Sequence, residues 1–142
     1  MRGESIIALL RGMPDFAQVG GAAEFDAAMN SAPTPPAAFV MPLGESSSDK
    51  PPFRGSQKVS RMYGVVLATA NVADAQGDSV VMDMAALRRQ VMPRLLGFVP
   101  FVGAEPLMFS RGRLLAMRNG VLFWQDDFLT TFFTNQAEAW SN

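Results

Sequence analysis

The sequence predicts an α/β fold of the α+β type: a mostly antiparallel or mixed sheet flanked by short helices, in a single domain spanning 1–142. Three observations carry this expectation. Segments with apolar residues three and four apart are interspersed with segments that alternate in twos, the signatures of amphipathic helices and half-buried strands. Asn119-Gly120 lies between two apolar runs and favours a two-residue hairpin turn. The chain has 142 residues, of which 49% are apolar, enough for one core.

Residues 5–11 read as a short helix with Ile6, Leu9 and Leu10 on one face, ended by Gly12 and Pro14. Residues 15–21 read as a short extended piece, and Val19-Gly20-Gly21 implies unusual backbone angles or a close approach. Ala22 to Met29 is expected to be a second helix with Phe25 and Met29 inward, stopped by Pro33, Pro35 and Pro36. Ala37 to Met41 is a short strand. The segment 44–55 is rich in Ser, Gly and Pro and reads as an exposed, flexible loop.

The run from Ser56 to Ala70 is the best strand. Val59, Arg61, Tyr63, Val65 and Leu67 share one face, and the half carrying Lys58 and Arg61 is expected to be the more exposed. Asn71 to Gly77 is a turn region. A helix should follow from Asp78 or Ser79 to about Met92, burying Met84, Leu87 and Val91, leaving Arg88 and Arg89 wet, and ending or kinking at Pro93. Leu96 to Pro106 is a connection whose Phe98, Phe101 and Val102 either cover the sheet or form a partner surface.

The hairpin then sets a register in which Met117 faces Leu122, Leu115 faces Trp124 and Arg113 faces Asp126. Asp126-Asp127 is a place for a bend or bulge, Phe128 to Thr134 is a further extended apolar run, and the tail 135–142 looks loose. Exposed edges along 56–70 or 111–134 would invite another chain to pair, building a ring or filament.

Composition removes many functions. There are no cysteines and no histidines, so disulfides, thiolate or imidazole metal sites and Ser-His or Cys-His catalysis are excluded. With 12 basic and 13 acidic residues the net charge is −1, which offers no positive field for specific nucleic-acid binding. Arg11 interrupts the apolar run Ile6–Leu10, which is too short for a signal peptide or membrane span; the expected place of work is the cytoplasm or an assembly built there, with no membrane partner.

The remaining motifs are weak. Gly20-Gly21 lacks the spacing of a dinucleotide or phosphate loop, and no cofactor is expected. Asp126 and Asp127 should point to opposite faces of a strand, as a charge pair at its end. An enzymatic or small-molecule-binding α/β domain would need Asp126, Asp127 or Glu105 to converge in one pocket. Phe53, Arg54, Lys58 and Arg61 form the one local basic patch, readable as a solvated strand start or as a protein interface.

The order of several segments resembles that of the small tail terminator (tail completion, minor tail) proteins of tailed bacteriophages. The matching residues are Val19-Gly20-Gly21-Ala22-Ala23-Glu24-Phe25, the run from Pro36 to Glu45, Tyr63-Gly64-Val65-Val66-Leu67 and Leu87-Arg88. Gly112-Arg113-Leu114-Leu115 and Leu122-Phe123-Trp124-Gln125-Asp126 complete the set. The resemblance implies a structural virion protein, not an enzyme. It would form a homo-hexameric ring on the head-proximal end of the tail tube, stop tube growth and provide the surface for head–tail joining. Partners implied are the tube protein, a head–tail connector or neck protein, and the sheath protein if the tail is contractile, with the genome passing through the ring lumen. On this reading Phe53, Arg54, Lys58 and Arg61 serve subunit or tube contacts, and Arg111 and Arg113 the ring or its lumen. A connector or neck protein is the alternative within the same class.

Overall fold

Each apolar stripe in the sequence finds a layer that buries it. The computed structural model describes residues 2–31, 33–47, 55–70 and 78–140, with the backbone alone for 78–82. The elements are α1 (Glu4–Arg11), β1 (Gln18–Gly20), α2 (Ala22–Asn30), β2 (Ala37–Ser47), β3 (Lys58–Ala70), α3 (Asp78–Leu95), β4 (Met108–Arg118) and β5 (Val121–Phe133), followed by a one-turn 3-10 helix, Ala137–Trp140. The five strands form one mixed sheet in the order β1-β2-β3-β5-β4. Only β1 and β2 run parallel, joined through α2; the other neighbours are antiparallel. The α+β class, with three helices against a mixed sheet, is the one the sequence predicts.

The first face of the sheet carries the main core. Ile6 and Leu10 of α1 and Met84, Leu87, Val91 and Leu95 of α3 pack on Val40, Tyr63, Val65, Leu67, Leu122 and Phe128. The helical spacing of both stripes is therefore the reason these helices lie where they do. On the second face, α2 sets Phe25, Ala28 and Met29 against Phe39, Val66 and Phe123. The turn into α2 explains its glycines: a Cβ on Gly20 would sit 2.6 Å from Glu24 Cβ. The Glu24 carboxylate in turn accepts the Gly21 N–H, one of the helix's unpaired first-turn donors.

Several expectations need correction. β2 continues through 44–47, so the first part of the expected 44–55 loop is strand, exposed and bent by a bulge between Pro42 and Gly44. Residues 48–54 and 71–77 lie outside the described residues. The long strand β3 has neighbours on both sides from Val59 to Ala68, so its first half is no edge; β4 and β1 are the outer strands.

Helix α3 runs through Pro93 to Leu95. Pro93 stands in the last turn, where it forfeits a single bond to the carbonyl of exposed Arg89, and the stop comes instead at Gly97, with φ +84°. The tail is not loose over 137–140. Ala139 is fully buried, Trp140 packs edge-on to Phe132 at 5.5 Å, and its indole N–H donates to the Thr134 carbonyl. The connection after α3 divides: Phe101 is buried, Phe98 half-buried against the core, and Val102 exposed.

The hairpin forms at Asn119-Gly120, both with positive φ, as a type I′ turn needs. Met117 pairs with Leu122 as expected. Beyond that, a bulge at Leu115 shifts the register by one, so Leu114 faces Trp124 and Gly112 faces Asp126, while Arg113 faces Gln125. A second bulge lies at Ser110.

Candidate functional site

Strand β5 is apolar for most of its 13 residues, yet it carries Gln125, Asp126 and Asp127 buried near its middle. They are not a pair at a strand end, as the sequence suggested. A carboxylate taken out of water must be paired or hydrogen-bonded, and each of the two is, on its own face.

Asp126 lies on the first face. Both its oxygens are held by one guanidinium: Arg88 Nε donates to Oδ2 at 3.0 Å and Nη2 to Oδ1 at 2.9 Å. The Trp124 indole N–H also donates to Oδ1, and Arg88 stacks over the Trp124 ring at 4.8 Å. Arg88, expected to be wet, thus ties α3 to β5. Gly112 stands opposite, and there a Cβ would come within 2.5 Å of Asp126 Oδ1; the strand needs glycine at this point.

Asp127 lies on the second face with no exposure at all. Arg111 Nε and Arg113 Nη1 each donate to Oδ2 at 3.1 Å, and the buried Gln125 amide donates to Oδ1 at 2.8 Å. Both arginines keep contact with solvent, with side chains 68% and 42% exposed. Two positive charges meet one negative charge, so the cluster presents a surplus cation.

Of the other expected site residues, Arg61 is the main surprise. It is 1% exposed, not on a wet strand start. Its Nε and Nη2 donate to Glu45 Oε2, and its plane is enclosed by Phe132, Phe101 and Trp140 at 4.6–5.6 Å. Lys58 is exposed, 3.9 Å from Glu105. Phe53 and Arg54 lie outside the described residues. The structure therefore brings Arg111 and Arg113 together and separates both from Arg61 and Lys58.

Asp126, Asp127 and Glu105 do not converge. The first two point to opposite faces and the third pairs with Lys58. Among the described residues no three carboxylates gather as a cation site, and no helix is long and apolar enough to cross a membrane. Sequence reasoning missed Arg88, Gly112 and Gln125. The available signal was the carboxylate pair itself: acids inside a long apolar strand require cations on both faces.

The described residues thus form a mixed sheet whose layers are stapled by charge networks, with an arginine pair held outward on the second face. The sequence matches the phage tail terminator protein family over residues 1–138, and the chain belongs to that family. It is accordingly a structural component of the virion tail. No individual curated protein matches it significantly.

Proposed function

We propose that the protein caps the head-proximal end of the tail tube as a homo-hexameric ring, ends tube polymerisation and provides the surface for head–tail joining. The observation that carries this reading is the family match across nearly the whole chain. The layout of the sheet supports it: β4 is an outer strand, and its Arg111 and Arg113 stand exposed.

A ring arises when one surface of a subunit meets a different surface of the next and the rotation closes. One ring face then matches the end of the tube, while the other lacks the tube's own bonding surface, so growth stops. Arg111 and Arg113 serve the ring or its lumen, through which the genome passes. Lys58, with Phe53 and Arg54, serves contacts to subunits or tube. Arg61 acts indirectly, holding Glu45 and the Trp140 turn in place. A connector or neck protein, and a sheath protein in a contractile tail, would meet the face away from the tube.

Negative-stain imaging of the purified protein mixed with tail tubes tests this. Six-fold rings on one end of each tube are expected, with tube lengths fixed on addition. Binding to the head-side connector with bare tube ends would overturn the capping role in favour of a neck protein.

A further inference from the structure

Beyond the three residues of β1 the sheet has four strands, and among the described residues both of its outer strands are open. Strand β1 pairs only with Ala37–Phe39, whereas β2 continues to Ser47 against β3 alone. At the other side of the sheet, β4 pairs with β5 alone. The two edges lie level. Gly44, Met62, Leu129 and Met108 form one row across the sheet, and Met41, Gly64, Asp127 and Arg111 another. They run in opposite directions, since three antiparallel steps separate them. A bulge interrupts each edge, between Pro42 and Gly44 and between Phe109 and Arg111, which limits backbone pairing to a few rows.

The two edges are unlike, and their differences match. Strand β4 is the apolar and basic one. It exposes Met108, Phe109, Leu114 and Met117 and carries three arginines with no acid; Asp127 balances only part of that charge. The β2 edge is framed by a groove of about 700 Å³ between α1 and the start of α2, with Ile7, Ala8, Glu24 and Pro42 in its wall. Leu43 stands exposed on the same strand. The stretch 1–47, which builds this side, holds five acidic residues and two arginines. Both arginines are engaged within the subunit, Arg2 with Glu4 and Arg11 with the Val19 carbonyl. Glu24 is exposed, with its Oε2 on the Gly21 N–H. Edges of opposite charge attract and favour one register over others.

We propose that β4 of one copy lies antiparallel along the open edge of β2 in the next, with Phe109 over Ile7 and Ala8 of the groove and Arg111 toward Glu24. The inference rests on the self-assembly reading above and adds to it the two surfaces that meet. The faces agree: Phe109 shares the sheet face on which α1 packs, and Arg111 the face on which α2 packs. Because the two edges bound opposite sides of the sheet, each subunit uses one on each side. The contact then repeats in a single sense and can close as a ring. It also covers an apolar edge strand that would otherwise stand open to chance pairing.

Disulfide trapping tests it. The chain has no cysteine, and a Cβ at Gly44 would meet nothing within 4 Å. Within one subunit two strands separate Gly44 from Met108, a span of about 14 Å, beyond the reach of a disulfide. Gly44→Cys with Met108→Cys in one chain should therefore oxidise to a ladder of covalently joined subunits on a denaturing gel, and each single variant should stay unjoined. A covalent dimer from either single variant means that an edge meets its own counterpart, which overturns the proposal. A second arm reads assembly by sedimentation velocity on the full chain, where wild type is expected to assemble. Arg111→Glu and Glu24→Arg should each weaken assembly by at least about tenfold through like-charge contacts, and the double variant should recover most of the loss. Wild-type assembly with undisturbed charge variants and no ladder overturns the edge contact alone. A wild type that stays monomeric, free and with tubes, overturns the self-assembly reading and the edge contact with it.

Discussion

Asp126 and Asp127 are consecutive in sequence, equally buried and similarly bonded, yet they are put to different use. Beneath α3, Asp126 meets one arginine through both oxygens; the charges cancel and the site is closed by Trp124 and the helix. On the other face no helix lies over this stretch among the described residues, and Asp127 is covered by the arginines themselves. One network joins two layers of the same chain. The other uses a buried anion to hold two guanidinium groups pointing out of it. What a charged residue does in a sheet is thus decided less by its type than by the layer above it.

That contrast can be broken most severely at the closed site. Asp126→Ala leaves a mostly buried Arg88 unpaired and should cost about 3–5 kcal/mol, lowering the melting temperature by roughly 10 °C in calorimetry. Asp127→Ala should cost only about 1–2 kcal/mol, chiefly from the stranded Gln125 amide, because its arginines can turn to water. Equal losses for the two would dissolve the distinction. Gly112→Ala probes the crowding around Asp126 directly: the added methyl must displace a carboxylate held by Arg88 and Trp124, at about 1–3 kcal/mol. Denaturant melts check it, and a shift confined to the midpoint is the expected form. The smallest effect on folding belongs to Arg111→Gln, below about 1 kcal/mol for an exposed ion pair, while its assembly measured by sedimentation should fall and lose part of its salt sensitivity.

The elements that the sequence announced share a property: their signal is local. The stripes of α1 and α3, the alternation of 58–70, the glycines before α2 and the Asn119-Gly120 turn each depend on neighbours within a few positions. The opposite orientations of Asp126 and Asp127 follow from strand geometry alone, and they held. Arg61 could not be read the same way. Its burial depends on Phe101, Phe132 and Trp140, brought from distant parts of the chain, and three aromatic rings with one carboxylate make a site where a guanidinium can leave water. Arg88 failed for a related reason, since its partner lies on β5. The register beyond Leu115 was missed because a bulge is chosen by the whole ladder: the extra residue lets Leu115 pack toward the α2 side while Gly112 falls opposite Asp126. The order of residues 137–140 likewise depends on a pocket that β3 and β5 must build first.

The adjacency of the two acids has a consequence for how the sheet assembles. Side chains on a strand alternate, so displacing β5 by a single residue exchanges the two faces. Asp126 would then turn away from Arg88, and Asp127 would be driven beneath α3 with its two arginines left behind on the far side. Apolar residues on both faces of β5 would tolerate such a slip, since Phe and Leu occur at odd and even positions alike. The charges would not. Asp126 and Asp127 therefore act as a parity check on the strand, rejecting misaligned sheets that the greasy residues around them would accept.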